Sequence, residues 1–295
     1  MSPVNELERQ IKSGALDEAM QTLKALDAGE EQKLYYTALI AFKRDRYDEA
    51  IDLAEKLIKR DDGESRAQAL LGQALGLKAQ NSGPVKGALL LPRVKKAFSK
   101  ALELDEANLE ALQGLFMYYL FSPAVAGGDE KRALELIEKT MTISEAHAWL
   151  MQGIYHSKKD EKDKAMEAFG KAAALCGEEP DILLRSARFF LEQKAADKAR
   201  ETVEKYMRLL PGTPAGLELQ ADLNRQEARW DMAAEGYRRV LDINGHYFPA
   251  RYKLALCLKE SGNSAAARQE LEKLQKDHPK SPVRARVEAL LKELS

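Results

Sequence analysis

Cysteine is scarce in this chain: Cys176 and Cys257 are the two in 295 residues. They lie far apart in apolar helical surroundings, which reads as buried structural thiols and not as a disulfide frame or a metal site. Histidine is scarce as well, with four residues, and His147 and His156 are nine apart where a helical metal pair needs four. Charge of one sign is not in excess. The 46 basic and 47 acidic residues give a net charge of −1, which argues against bulk electrostatic binding of nucleic acid or an anionic membrane. No run approaches the roughly 18 to 20 apolar residues of a membrane span. The opening "MSPVNELERQ" is polar and does not read as a secretory leader. No serine sits in a nucleophile elbow. The expectation is therefore no catalytic, no metal and no cofactor-binding residue, in a chain whose 45% hydrophobic content suffices for a sizeable core or an extended array.

What is present is a repeat. Small residues recur at Ala19, Ala50, Ala133, Ala165, Ala199, Ala233 and Ala267, and the last four are spaced by 34 residues each. That spacing is the period of a helix–turn–helix unit. Four residues after each comes Leu23, Ala54, Ile137, Phe169, Val203, Tyr237 or Leu271, so each pair makes an apolar stripe on one helix face. A second helical pattern precedes each stripe, as in "AWLMQGIYH" and "RYKLALCLKE", and polar turns such as "ESGN" separate the two.

These residues resemble the tetratricopeptide repeat family, best in "WLMQGIYHSKKDEKDKAMEAFGKA" and "LLRSARFFLEQKAADKARETVEKYMRLLP". A further match is "FSKALELDEAN", where Glu106 stands in place of the usual proline. The resemblance implies an all-α, right-handed superhelical solenoid of about eight repeats over residues 1–295, closed by a capping helix at 282–295. The small residue then marks the point where two helices approach closely.

Two insertions interrupt the period, because Ala50 to Val94 is 44 residues and Val94 to Ala133 is 39. The first, at 80–93, contains the apolar stretch "GALLLP"; it is expected to dock on the neighbouring repeat, with a membrane or partner contact as the alternative. The second, at 122–129, contains the glycine pair of "SPAVAGGDEKRALELIEK". A phosphate loop would need a strand before the glycines and a lysine with Ser or Thr after them. Here a helical pattern precedes and Asp129-Glu130 follows, so the segment reads as a turn: Pro123 ends one helix, a glycine reverses the chain and Asp129 caps the next. Residues 64 to 175, with "SPAVAGG" and "RVKKAFSKALELD", also resemble bacterial tetratricopeptide proteins exported to the periplasm, some of them associated with solute transporters. That likeness implies a periplasmic location if a leader has been removed and a cytoplasmic one otherwise.

In this family the first helix of each repeat lines a groove that takes a peptide or a partner helix. The register places Tyr35, Tyr36, Leu39 and Phe42 there from repeat two, and Gln113, Met117, Leu120 and Phe121 from repeat four. Repeat five supplies Leu150, Met151 and Ile154. Arg185 and Arg188 follow from repeat six and Arg225 from repeat seven, with Leu184, Asp222, Tyr252 and Lys253 nearby. Some of these side chains also suit the core between helices. The aromatic and aliphatic half suits a partner's apolar anchors, and the arginines suit an acidic segment. The lysine–asparagine clamp that some members use for a C-terminal carboxylate is absent, since Tyr35 and Leu39 occupy its places. The sequence thus reads as a non-catalytic scaffold or adaptor for a protein or peptide partner. The alternatives are a transporter-associated or solute-binding component and a self-assembling homo-oligomer.

Overall fold

The computed structural model describes residues 2–61, 63–279 and 281–294, and among them there is helix and no strand. The chain divides into two compact units, residues 1–175 and 176–295. In the first, five helix pairs follow one another: α1 (Pro3–Ser13) with α2 (Leu16–Ala25), α3 (Glu30–Lys43) with α4 (Tyr47–Arg60), and α5 (Ser65–Asn81) with α6 (Pro84–Leu104). Then come α7 (Leu109–Phe121) with α8 (Glu130–Met141) and α9 (Glu145–Lys158) with α10 (Lys162–Leu175). The second unit holds α11 (Pro180–Glu192) with α12 (Ala196–Leu209), α13 (Pro214–Gln226) with α14 (Trp230–Ile243), and α15 (Phe248–Glu260) with α16 (Ser264–Asp277). It closes with α17 (Arg284–Glu293), while Ser295, the end of the expected cap, lies outside the described residues.

Short turns make each pair antiparallel, and within most pairs the turn places one residue in the left-handed region. That residue is Gly14, Asp45, Asp160, Lys194, Ala228 or Gly262. One pair of helices cannot bury its own apolar stripe, so neighbours stack. The seven alanines of the repeat are all fully buried, as close helix approach requires. The residues four positions on, from Leu23 to Leu271, are buried as well. At the far end Val287 of α17 joins Leu271, Leu274 and Ala255, and the cap covers the last pair.

Both insertions take definite form. The first lengthens a hairpin: α5 has 17 residues and α6 has 21, where the other pairs use 10 to 14. "GALLLP" lies inside α6. Leu90 and Leu91 pack on the core of their own unit, as expected of a docked segment, while Val85 and Leu89 face outward. The second is a short 3-10 turn, Ala124–Ala126, left by Gly127 at φ 89°. A Cβ on Gly128 would lie 2.0 Å from the Ser122 carbonyl oxygen, so glycine is required there. The Tyr118 hydroxyl donates to the Ala126 carbonyl at 2.5 Å, and the Arg132 amide donates to Asp129 Oδ1 at 3.1 Å. The glycine pair is a turn that feeds a capped helix.

Cys176 and Cys257 are buried thiols. Burial pushes both thiols above the usual range, Cys257 to about 11. A thiol that is both inaccessible and protonated reacts slowly. A disulfide reagent at pH 8 is expected to leave both unlabelled in the native chain and to titrate two thiols after denaturation. Rapid native labelling of either would refute this packing.

Candidate functional site

The second unit carries a cavity of about 390 Å³ on the first helices of its three pairs. Arg188, Leu191 and Glu192 line it from α11, Glu218, Asp222, Arg225 and Gln226 from α13, Tyr247 from the cap of α15 and Lys253 from its middle. Glu218 and Asp222 are one helical turn apart and share a face. Lys253 Nζ bridges them, 3.0 Å from Glu218 Oε1 and 2.7 Å from Asp222 Oδ2. The Tyr237 hydroxyl donates to Asp222 Oδ1 at 2.7 Å, and the Tyr247 hydroxyl donates to Glu218 at 3.2 Å. Burial pushes the Tyr247 phenol up to about 12, with the adjacent Glu218 carboxylate acting in the same direction, so it remains a donor at neutral pH. Gln226 Nε2 donates to the Leu191 carbonyl at 2.9 Å and ties α13 to α11.

The two arginines are less engaged. Arg188 stands 3.7 Å from Glu218 and Arg225 3.7 Å from Asp222, both beyond hydrogen-bonding distance. Their carboxylates already accept from Lys253 and the tyrosines. Both remain within ion-pairing reach, and Arg225 also donates to the Tyr237 hydroxyl oxygen, so the remaining N–H groups of the two guanidiniums are the donors an entering anion would meet.

In the first unit the expected groove residues fall into two sets. Tyr35, Leu39, Phe42, Gln113, Met117 and Ile154 are half-buried on the first helices, and Phe121 is 52% exposed with the Lys158 ammonium 5.1 Å from its ring centre. The Arg66 guanidinium lies 4.8 Å from the Tyr35 ring centre. Tyr36, Leu120, Leu150 and Met151 are buried. Those four are core between helices and do not reach an open face. Tyr36 is also tied down by donating to Glu8 at 2.8 Å. In the second unit Arg185 and Arg188 are exposed and Arg225 is half-buried. The sequence reading missed Glu218, Gln226 and Tyr247. The signal for Glu218 and Asp222 was their spacing of four on a first helix, with Lys253 about one period further on.

Sequence profiles described as tetratricopeptide repeat match residues 34–77 and 225–294. The chain carries tetratricopeptide repeats. Comparison with curated proteins gives no match. Among solved structures, a chain of the APC/C hetero-tetramer Cut9–Hcn1 superposes with a TM-score of 0.56 at 16% identity, over 95% of this chain and 59% of that one. The chain thus spans less than two thirds of that relative's length. A thermophilic TPR protein of Thermus thermophilus matches at TM-score 0.51 and 18% identity, over 67% of this chain and 98% of that one. PilW, a type IV pilus biogenesis factor, matches at TM-score 0.53 and 15% identity, over 74% and 98%. Identities this low establish a shared repeat architecture. Among the described residues no helix is long and apolar enough to cross a membrane, and no His, Cys, Asp and Glu cluster is arranged to hold a metal ion.

Proposed function

We propose that this tetratricopeptide chain is a protein-interaction scaffold without catalysis of its own, and that its second unit grips an acidic segment of the partner. The observation that carries the reading is the pair Arg188 and Arg225, which line one cavity with donors that Glu218 and Asp222 do not take up. Extended peptides suit such a site, because carboxylates on the peptide meet guanidinium forks along the first-helix face. In the first unit the half-buried Leu39, Phe42, Met117 and Ile154 and the exposed Phe121 offer shallow apolar contacts for hydrophobic anchors.

The cavity is also of small-molecule size, since ligand sites commonly run roughly 300 to 1,000 Å³. That size favours a solute-binding role as the second reading. Saturable thermal stabilisation by a polar metabolite, in the absence of any protein partner, would select it.

The test of the first reading is affinity capture with two immobilised chains, wild type and Arg188→Ala/Arg225→Ala, matched for helicity and melting temperature. A partner held by the wild type is expected to be lost by the variant. Fluorescence anisotropy with that partner's acidic segment is then expected to show at least about tenfold weaker binding, and a steeper loss with salt for the wild type. Equal capture by both chains would overturn the assignment of the arginines.

A further inference from the structure

The elongated α5–α6 hairpin has a charge pattern unlike the rest of the chain. Acidic residues number 47 in 295, yet none occurs from Ser65 to Leu102. The same stretch holds Arg66, Lys78, Lys86, Arg93, Lys95, Lys96 and Lys100. Some of these are compensated from outside the stretch, Arg93 by Glu55 at 2.6 Å and Lys100 by Glu103 at 3.1 Å. Lys86 and Lys96 are exposed and have no ion pair among the described residues.

The apolar residues are sorted to match. Gly87, Val94, Ala97, Phe98 and Ala101 are buried and form the inner face of α6. Val85, Leu89, Pro92, Arg93 and Lys96, spaced by three and four, form the outer face. Val85 is 78% exposed and Leu89 is 74% exposed, which leaves two large apolar side chains standing in water at the amino-terminal end of α6.

The Asn108 side chain at the start of α7 donates to Ser65 Oγ at the start of α5, and Ser65 donates to the Ala101 carbonyl near the end of α6. Those three helix ends therefore lie together. Lys95 of α6 sits 5.5 Å from the ring centre of Tyr119 near the end of α7, so the first turns of α6 extend beyond α7. The 3-10 turn 124–126 follows α7 at that end and packs beside α6. Its Val125 is fully exposed. The acids near this end are engaged, Asp129 with Arg132 and Glu130 with Lys159, and beside Asn81 and Ser82 Asp48 pairs with Lys78, Glu49 with Arg46, and Asp45 accepts from the Tyr47 hydroxyl.

We propose that this hairpin tip is a peripheral contact for an anionic lipid bilayer, with Val85 and Leu89 entering the headgroup region and Lys86 and Lys96 meeting the anionic lipids. A protruding helix with a few apolar side chains backed by unpaired lysines is the pattern of an interfacial anchor. The large exposed apolar side chains of the tip are two, whereas a protein interface of ordinary size buries roughly 800 Å² per partner. The contact is weak and reversible, because few apolar groups enter.

The test is co-sedimentation of the full chain with vesicles of phosphatidylcholine alone and of phosphatidylcholine mixed with phosphatidylglycerol. Binding to the anionic vesicles is expected to exceed binding to the neutral ones by about tenfold at low salt and to fall as salt rises. Val85→Ser/Leu89→Ser and, separately, Lys86→Gln/Lys96→Gln are each expected to lower it several-fold with no change in melting temperature, since all four side chains are exposed. Binding that ignores lipid charge, survives both variants, or is absent would overturn the proposal. Retention of a soluble acidic protein through these residues, with no vesicle binding, would assign the tip to that partner instead.

Discussion

Gly114→Val is expected to unfold the first unit at far lower urea than the wild type. A Cβ at Gly114 would lie 2.2 Å from Cζ of Phe98, well inside contact distance. Gly72 of α5 approaches the same edge of the ring, where a Cβ would stand 2.7 Å from Phe98 Cε1, and Phe98 itself is buried. Phe98 is thus packed against the first helices of two successive pairs, each of which had to be glycine at that point. Overpacking of this kind costs about 1 to 3 kcal/mol, and a close approach to a buried ring sets the expectation at about 3 kcal/mol. Phe98→Ala alone is expected to cost about 3 to 5 kcal/mol through the cavity it leaves. The double variant is the discriminating sample, since valine then grows into the vacated space. Its cost is expected to fall short of the sum of the singles by about 2 kcal/mol. Trp149 lies in the first unit and Trp230 in the second, so fluorescence of Trp149 in a Trp230→Phe background reports this unit. Strict additivity would mean that the ring and the glycine do not share the space claimed for them.

The repeat was legible because its physics is local. Ala133, Ala165, Ala199, Ala233 and Ala267 are small for the same reason Gly72 and Gly114 are, since helices stacked at short distance admit little between them. A periodic alanine followed four residues later by a large apolar residue can be read from one sequence. The form of the first insertion could not. Gly83, Gly87 and Pro92 read as punctuation, yet only Gly83 turns the chain. Gly87 lets α6 lie against α5, its absent Cβ falling 2.4 Å from the Ala79 carbonyl oxygen. Pro84 opens the helix, where its missing N–H costs nothing, and Pro92 sits on the solvent side of α6.

The open face was legible in part, and the reason lies in the first helices themselves. Within the first unit α7 packs against α5, α6, α8 and α9, and α9 against α7, α8 and α10, so apolar residues run round most of their circumference. In "LFMYYLF" and "AWLMQGIYH" nothing in the pattern separates Met117 and Ile154, which are half-open, from Leu120, Leu150 and Met151, which are core. The charged residues were easier to place, because a buried charge must be paired and an unpaired one must face water. Arg185 and Arg188 are exposed for that reason. What the sequence could not show was that Lys253 would reach back across α13 to two carboxylates.

That bridge supports the second large effect. Lys253→Met is expected to destabilise the second unit by about 3 kcal/mol, near the low end of the range for breaking a buried ion pair, because Lys253 keeps partial contact with water. Glu218 and Asp222 are 10% and 15% exposed at the side chain, so removing the ammonium leaves two screened-off carboxylates one turn apart. The tyrosine hydroxyls and the arginines at 3.7 Å compensate incompletely. Adding Glu218→Gln to Lys253→Met is expected to recover most of the loss, since it removes one charge and the repulsion between the pair while keeping an acceptor for Tyr247. Urea unfolding followed by Trp230 in a Trp149→Phe background measures both. A loss under about 1 kcal/mol, unaltered by the second substitution, would show a solvent-screened surface network. The cavity would then lack a fixed wall to hold Arg188 and Arg225 in place, and the binding result for those arginines would have to be explained by the charge of the face as a whole.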